Sequence, residues 1–282
     1  IDNPEVLALY RDSMRKFCTV CPEVEIGLGI PRDPVRVVDD AGRLILYQPA
    51  TERDVTEEME NFTAGFLGTV GEVDGFILKN RSPSCGPWDV KVYKGRGKNA
   101  ASRRGKGFFG AAVCERFPGR PVEDEGRLDN FPVREHFLTR LFALARLREA
   151  RAAALGLRTA GTNGSSSGAR SGLGALVEFH TRHKFLLRAY SQAQLKILGN
   201  LLAGGVKTSL EKLFSLYQAH LETALAKPPR PGPLINVLLR AFGGMSAELT
   251  PGERRYFLNC LEEYRDERIP LGVPLHLLKA WA

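Results

Sequence analysis

A tract crowded with glycine and serine, between Gly156 and Gly174, divides this chain of 282 residues. Before the tract, short apolar runs that suit strands alternate with amphipathic stretches that suit helices; after it, every apolar stretch has helical spacing. Gly/Ser-rich sequence is typical of flexible linkers and loops. The sequence therefore predicts a domain over residues 1–155, a linker or loop over 156–174 and a second domain over 175–282.

The first domain alternates strands and helices. Strands are predicted at 35–38, 44–47, 75–78 and 88–93, and helices at 55–70, 107–117 and 133–155. This alternation indicates an α/β sandwich with a Rossmann- or flavodoxin-like sheet, whose first strand we expect upstream of Ile1. Ligands of such sheets bind at loops beyond the carboxyl ends of strands. The loop Ser82-Pro83-Ser84-Cys85-Gly86 follows the apolar run 75–78 and is expected at that edge.

The second domain is predicted to be an all-α bundle of five or six helices. The helices are expected at 175–190, 192–203, 210–226, 234–242, 253–267 and 275–281. Thr250-Pro251-Gly252-Glu253 has the spacing of a capping box with proline at the first helical position.

The net charge of +8 is unevenly distributed. Residues 1–150 hold 23 basic and 23 acidic side chains, whereas residues 151–282 hold 17 and 9. Within the neutral half, the stretch Lys79–Lys106 contains nine basic residues and one acid, Asp89. Such stretches attract polyanions, although a solvated basic loop has the same composition.

The five cysteines fall into two groups. Cys114 and Cys260 lie among apolar residues at helical spacing and are predicted to be small core residues. Cys21 and Cys85 lie in loops beside proline or glycine, which suits a metal cluster or a nucleophilic thiol. Cys18 and Cys21 form a single C-x2-C, half of a zinc site or a redox pair, and no second such pair follows. An odd cysteine count favours a reducing compartment, by default the cytoplasm, and no apolar run is long enough to span a membrane.

His180 and His183 share one face of a predicted helix, where they could ligate a metal, contact RNA or pack structurally. The chain contains no P-loop, no Gly-x-Ser-x-Gly elbow and no dinucleotide fingerprint around Gly27-Leu28-Gly29. Kinase, NTPase and hydrolase functions therefore lose their main sequence support.

Several motifs together resemble the thiouracil desulfidase family. They are Cys21-Pro22-Glu23-Val24, Gly27–Arg32, Ile77-Leu78-Lys79 leading into Ser82–Gly86, and Glu123–Leu128. The helical half, with Glu178–Lys184, Asn236-Val237-Leu238 and Pro270–Lys279, is similar to the domain of formerly unknown function often fused to it. Such fused proteins resemble tRNA 4-thiouridine desulfidases.

The resemblance implies a [4Fe-4S] cluster held by three cysteines, with one iron open to the sulfur of the substrate. Cys21 and Cys85 would be two ligands, and the third is expected upstream of Ile1. Glu23 would be the acid/base, and Ser84 or Ser82 would assist proton transfer or position the substrate. The expected substrate is tRNA carrying thiolated uridine, or a small thiopyrimidine, and no membrane partner is expected.

Two other functions remain open. One is a non-catalytic RNA-binding protein with structural or redox-sensing cysteines, and the other is a metal-free enzyme with Cys85 as nucleophile. The residues expected to contact nucleic acid are Lys79, Arg96, Arg103, Arg104, His180, Arg182, His183, Lys184 and Arg188.

Overall fold

A computed structural model describes Pro4, Val6 and residues 16–97, 99–157, 172–204 and 208–282. The chain divides into two compact units, residues 1–143 and 144–282. Most of the tract predicted as a linker, residues 158–171, lies outside the described residues.

The first unit combines short strands with helices, as predicted. Its strands are β1 (Arg36–Asp40), β2 (Arg43–Gln48), β3 (Arg53–Asp54), β4 (Phe76–Leu78), β5 (Val90–Lys94), β6 (Ser102–Gly105) and β7 (Val122–Asp124). Its helices are α1 (Pro22–Glu25), α2 (Thr56–Thr69), α3 (Phe108–Arg116) and α4 (Phe131–Ala154), the last of which continues into the second unit.

The strands form two sheets. One is a mixed sheet in the order β3-β2-β1-β5-β6, in which β1 and β2 form the predicted antiparallel hairpin and β1 runs parallel to β5. The other sheet pairs β4 with β7 in parallel. The apolar run 75–78 is thus a strand of a two-stranded sheet, and it leads into the loop at Ser82 as expected.

The core of the first unit lies between one face of the mixed sheet and the helices α2 and α3. Val37, Leu46 and Val92 from the sheet pack with Met59 of α2 and Phe109 of α3. A smaller cluster occupies the opposite face of the sheet, where Val38, Ile45 and Tyr47 pack with Tyr93. This alternation of side chains between the two faces is the ordinary pattern of a strand buried on both sides.

The second unit is helical, which confirms the predicted combination of an α/β and an all-α part. Its helices are α5 (Leu173–Tyr190), α6 (Gln192–Ala203), α7 (Leu210–Ala224), α8 (Pro231–Met245), α9 (Pro251–Arg265) and α10 (Gly272–Trp281). The capping box at α9 is present, with Thr250 and Glu253 bonded reciprocally. In the core that joins α8, α9 and α10, the rings of Phe242 and Phe257 stack, and Trp281 meets Phe257 edge to face.

No helix within the described part of the chain is both long enough and apolar enough to cross a membrane.

Candidate active site

The Cys-Pro-Glu motif forms a single helical turn. Cys21 is the N-cap of α1, and its carbonyl oxygen accepts hydrogen bonds from the amides of Val24 at 2.9 Å and Glu25 at 3.1 Å. Pro22 occupies the first helical position, where its missing amide hydrogen costs nothing. This turn fixes the backbone that follows Cys21 and directs Glu23 to a defined position.

A turn after α1 returns Arg32 to Glu23. Gly27 and Gly29 have φ angles of +83° and +73°, which glycine adopts without the penalty that a Cβ atom would bring. Arg32 Nε donates to Glu23 Oε2 at 2.6 Å, and Arg32 Nη2 lies 3.5 Å from Cys21 Sγ. The carboxylate and the thiol are thus held by one guanidinium group, which the sequence motifs alone did not indicate.

The second cysteine loop folds around the hydroxyl of Ser82. Ser82 Oγ accepts hydrogen bonds from the amides of Ser84 at 3.3 Å and Cys85 at 3.1 Å. The amide of Gly86 donates to the carbonyl oxygen of Ser82 at 2.8 Å and closes the turn. Ser82 therefore serves first as the internal brace of this loop.

The first turn of α3 packs against this loop and is hydrogen-bonded to it. The amide of Gly110 donates to the carbonyl oxygen of Ser84 at 3.0 Å, and the amide of Gly107 donates to the carbonyl oxygen of Gly86 at 2.8 Å. A Cβ atom at Gly107 would lie 2.5 Å from Ser84 O, and one at Gly110 would lie 2.5 Å from Cys85 O. Both glycines are needed for this close approach, which the sequence analysis did not predict.

The two loops converge on the carboxylate of Glu23. Ser84 Oγ donates to Glu23 Oε1 at 2.6 Å, and Ser82 Oγ lies 3.5 Å from the same oxygen. Ser84 is fully buried, and the side chain of Glu23 is 15% exposed. Of the two serines predicted to assist, Ser84 is therefore the one in close contact with Glu23. The site combines a carboxylate, a hydroxyl that can pass a proton and two thiols.

The thiol of Cys85 is strongly influenced by this environment. Burial raises its pKa to about 12, and the negative charges of Glu23 and Cys21 act in the same direction. The Ser82 hydroxyl and the Arg32 guanidinium oppose that rise only in part. Cys85 and Cys21 are thus close enough to interact electrostatically, although they are far apart in the sequence. A neutral thiol is the stable form of Cys85 unless a cation binds there.

The chain has three other cysteines, which differ in burial. Cys18 is exposed, as Cys21 is, whereas Cys114 is half-buried in α3 and Cys260 is buried in α9. Within the described ranges, no group of three or more cysteine, histidine, aspartate or glutamate side chains is arranged to bind a metal ion. Cys21 and Cys85 are accordingly a pair of candidate ligands.

Two acidic residues at the end of β7 hold the segments on either side of the cysteine loop. Glu125 is buried, accepts from the amide of Asn80 at 2.6 Å and pairs with Lys79 Nζ at 2.5 Å. The indole Nε1 of Trp88 donates to Asp124 Oδ2 at 2.6 Å. Lys79, expected to contact nucleic acid, is therefore bound to a carboxylate of the fold.

The remaining basic residues of the first unit differ in their partners. Arg96 pairs with Asp40 at 2.8 Å, and Arg103 with Asp39 at 3.5 Å. Among the described residues, Arg104 Nη1 donates to a backbone oxygen, that of Asp89, at 3.0 Å.

His180 and His183 both have partners within the second unit. His183 is 6% exposed, stacks on Phe179 with ring centroids 4.0 Å apart and bonds through Nδ1 to the carbonyl oxygen of Phe179 at 2.8 Å. His180 Nδ1 lies 2.9 Å from the hydroxyl of Tyr217. Burial lowers the pKa of both histidines, so both are neutral at pH 7.

A basic groove lies along α5 and α6 in the second unit. It has a volume of about 410 Å³, and its lining includes His180, Lys184, Arg188, Lys196 and Asn200. Arg182 is outside this lining and pairs with Glu178 at 2.5 Å. Two of the cations predicted to contact RNA, Lys184 and Arg188, therefore line the same groove.

Two family models match separate parts of the chain. Residues 3–125 match the family model described as 2-thiouracil desulfurase, and residues 184–282 match the model described as a protein of unknown function (DUF1722). The chain thus carries a 2-thiouracil desulfurase family domain followed by a DUF1722 domain, which confirms the resemblance found in the sequence.

A curated relative is similar over part of its length. The chain is 28% identical over 107 residues to the "Uncharacterized protein YbgA" of Escherichia coli (strain K12). The matched region covers 38% of this chain and 63% of that relative, which is less than two thirds of its length. The comparison with solved structures gave no match.

Proposed function

We propose that this protein is a [4Fe-4S]-dependent desulfurase that removes sulfur from thiolated pyrimidines, with 4-thiouridine in tRNA as its substrate. The observation that carries this proposal is the convergence of Glu23, Ser84, Cys21 and Cys85 inside the 2-thiouracil desulfurase domain. The reaction balances as a hydrolysis: water supplies the oxygen of the new carbonyl group, and the sulfur leaves as hydrogen sulfide. No external oxidant or reductant is consumed.

The cysteine pair fits part of the proposed cluster site. Cys21 and Cys85 supply soft sulfur ligands from two loops that are fixed by hydrogen bonds, and soft thiolates select iron–sulfur clusters. The described residues bring two of the three proposed thiol ligands to the site. A bound cluster would supply a Lewis-acidic iron for the thiocarbonyl sulfur. It would also stabilise the Cys85 thiolate that burial otherwise disfavours.

Glu23 is the proposed acid/base of the reaction. Its Oε1 shares the Ser84 proton, and its Oε2 is held by Arg32, so the carboxylate keeps one orientation. A carboxylate positioned in this way can accept a proton from an attacking water and return it to the leaving sulfur or to the ring. Ser84 would carry the proton or hold Glu23 in place, and Ser82 would keep the loop closed.

The metal-free alternative is less consistent with the site. A nucleophilic cysteine needs a thiolate near neutral pH, usually stabilised by a neighbouring histidine or other cation. The Cys85 thiol instead has a pKa raised to about 12, and the carboxylate of Glu23 contributes to that rise. Cys85 therefore suits a metal ligand better than a free nucleophile.

Charge and cysteine content support the tRNA substrate and the compartment. The net charge of +8 and the basic groove along α5 and α6 suit a polyanion, which a free thiopyrimidine is not. The free cysteines suit a reducing environment, so we place the protein in the cytoplasm.

The proposal is tested on full-length protein reconstituted with iron and sulfide under anaerobic conditions. Unaltered protein is expected to bind an iron–sulfur cluster and to release sulfide from 4-thiouridine tRNA. Cys85→Ala is expected to lose the cluster, its visible absorption and its activity, whereas Cys114→Ala, which alters another half-buried cysteine, retains all three. Equal iron content in both variants would remove Cys85 from the ligand set. A colourless, inactive protein that still binds tRNA would favour an RNA-binding protein without catalysis.

A further inference from the structure

Three neighbouring strands of the mixed sheet place three cationic side chains in one row. Lys91 of β5 lies opposite Arg104 of β6. The pairing of Val37 with Val92 puts Arg36 of β1 next to Lys91 on its other side. Residues aligned across neighbouring strands share a face of the sheet, so the three cations project together. Like charges directly opposite each other destabilise a sheet.

This row borders a cavity that reaches the cysteine loop. The cavity has a volume of about 380 Å³, and Arg36, Lys91 and Arg104 line it together with Arg81 and Pro83. Arg81 and Pro83 belong to the segment that carries Ser82, Ser84 and Cys85. The same short loop therefore forms a wall of the cavity and carries residues of the candidate active site.

The cations of this cavity lack the carboxylate partners that their neighbours have. Arg96 and Arg103 pair with Asp40 and Asp39. In contrast, Arg81, Lys91 and Arg104 form no ion pair within the described part of the chain, and the lining contains one acid, Asp89. The positive charge at the cavity is thus available to bind an anionic ligand.

Arg36 is held rigidly and has a donor to spare. Its Nη1 and Nη2 donate to the carbonyl oxygens of Gly97 at 3.3 Å and Arg96 at 2.6 Å, and the guanidinium lies 5.2 Å from the centroid of the Tyr93 ring. Its Nε is buried and has no hydrogen-bond partner among the described residues. The guanidinium group is thus a fixed positive charge in the cavity wall, and its unpartnered Nε is a buried donor that costs stability.

We propose that this cavity is a phosphate site that binds a backbone phosphate of the tRNA substrate while the thiolated base lies at the cysteine loop. The inference rests on the proposed function and specifies how the substrate is recognised. Guanidinium groups match the geometry of phosphate oxygens, and an anion relieves the repulsion within the row. A thiolated nucleotide carries both a phosphate for the cations and a thiolated base for the cysteine loop, which an acidic peptide does not.

The test compares two double variants that remove the same charge from the sheet. Lys91→Gln/Arg104→Gln alters the row, and Arg43→Gln/Lys94→Gln alters two exposed cations outside the cavity. The row variant is expected to weaken tRNA binding about tenfold and to reduce the slope of log K against log salt by about one per lost phosphate contact. Its KM for free 4-thiouracil is expected to stay unchanged, and the control variant is expected to bind tRNA more tightly than the row variant.

The source of the phosphate is distinguished by comparing 4-thiouridine with its 5′-monophosphate. If the row variant loses the advantage of the monophosphate, the site holds the phosphate of the thiolated nucleotide itself. If it weakens only tRNA, the site holds a flanking phosphate. Either result supports the proposal.

Equal tRNA affinity in the two double variants, or equal losses on tRNA and on free base, would overturn the proposal. Because the binding measurement requires no turnover, failure of this proposal can be told apart from failure of the proposed function. If the protein desulfurates no substrate but the row variant still binds tRNA more weakly, the phosphate site stands and the proposed function fails. If the protein desulfurates free base and its tRNA affinity does not depend on the row, the proposed function stands and the phosphate site fails.

Discussion

Replacing Glu23 by glutamine tests the proposed acid/base most sharply, because the change removes the ionisable group and keeps its shape. The amide can retain both contacts if its oxygen accepts from Arg32 Nε and its nitrogen donates to Ser84 Oγ, the two atoms now 2.6 Å from the carboxylate. A hydrogen bond to a charged group contributes about 1.5–3 kcal/mol and a neutral one about 0.5–1.5 kcal/mol. Glutamine turns both contacts from bonds to a charged carboxylate into bonds to a neutral amide. Because Arg32 is partly exposed, the two changes together lower the free energy of unfolding by about 2 kcal/mol.

That loss leaves the protein folded, since domains are stable by about 5–15 kcal/mol. A fall in kcat would therefore report on chemistry, and general acid–base catalysis contributes about 10²–10⁴-fold. We expect Glu23→Gln to lower kcat by that factor, with iron content unchanged. The assay is sulfide release from 4-thiouridine tRNA, together with urea unfolding.

Glu25→Gln is the matched control, because Glu25 lies in the same helical turn but is exposed. It should leave kcat and stability close to those of the unaltered protein. The reasoning is refuted if Glu23→Gln retains its rate, or if Glu25→Gln loses as much.

Three further substitutions test how the fold supports the site and the second unit. Gly110→Ala should lower the free energy of unfolding by about 1–3 kcal/mol and abolish most of the activity, because its Cβ would lie 2.5 Å from Cys85 O. Gly68→Ala is the control, since its Cβ would meet open space in α2, and it should raise the free energy of unfolding by about 0.5–1 kcal/mol. Equal urea midpoints for the two variants would contradict the close contact. Trp88→Phe removes the indole donor of the buried Asp124 and should cost about 1.5–3 kcal/mol in thermal or urea unfolding; no loss would mean that this bond contributes little. Burial lowers the pKa of His183, so below its ordinary value of about 6.5 the unfolded chain binds a proton that the folded chain does not, and stability falls as pH falls. His183→Leu should make that fall between pH 7 and pH 5 shallower, and an equally steep fall would exclude His183 as a source.

Elements with strong local signals were predictable from the sequence. Helix α6 has the predicted bounds, and α9 begins at the predicted capping box, because serine or threonine caps act within one turn. Helix α8 begins at Pro231, three residues before its apolar pattern, since proline is favoured in the first turn. Strands β3, β6 and β7 were not predicted, because short strands depend on partners far away in the sequence.

The candidate site was predictable in its residues but not in its contacts. The motifs identified Cys21, Glu23 and the Ser82–Gly86 loop. That Ser84 contacts Glu23 while Ser82 braces the loop depends on the backbone path of that loop, which the sequence does not reveal. Arg32 lies nine residues from Glu23 and reaches it only through the turn at Gly27 and Gly29.

The histidine pair shows why spacing alone does not define a role. His180 and His183 share a helical face, as predicted, but His180 contacts Tyr217 of α7 and His183 stacks on Phe179 of its own helix. The basic groove combines His180, Lys184 and Arg188 of α5 with Lys196 of α6. The contribution of the second helix depends on packing, which a pattern within one helix cannot show.

The central claim is tested most directly by following both products of one reaction. Full-length protein, reconstituted anaerobically, is incubated with 4-thiouridine tRNA, and released sulfide is measured together with the 4-thiouridine and uridine recovered from digested tRNA. The account predicts one sulfide and one new uridine for each 4-thiouridine lost, and neither product with Glu23→Gln at comparable times. Unchanged 4-thiouridine with a fully loaded cluster, or loss of 4-thiouridine without matching sulfide and uridine, would contradict it.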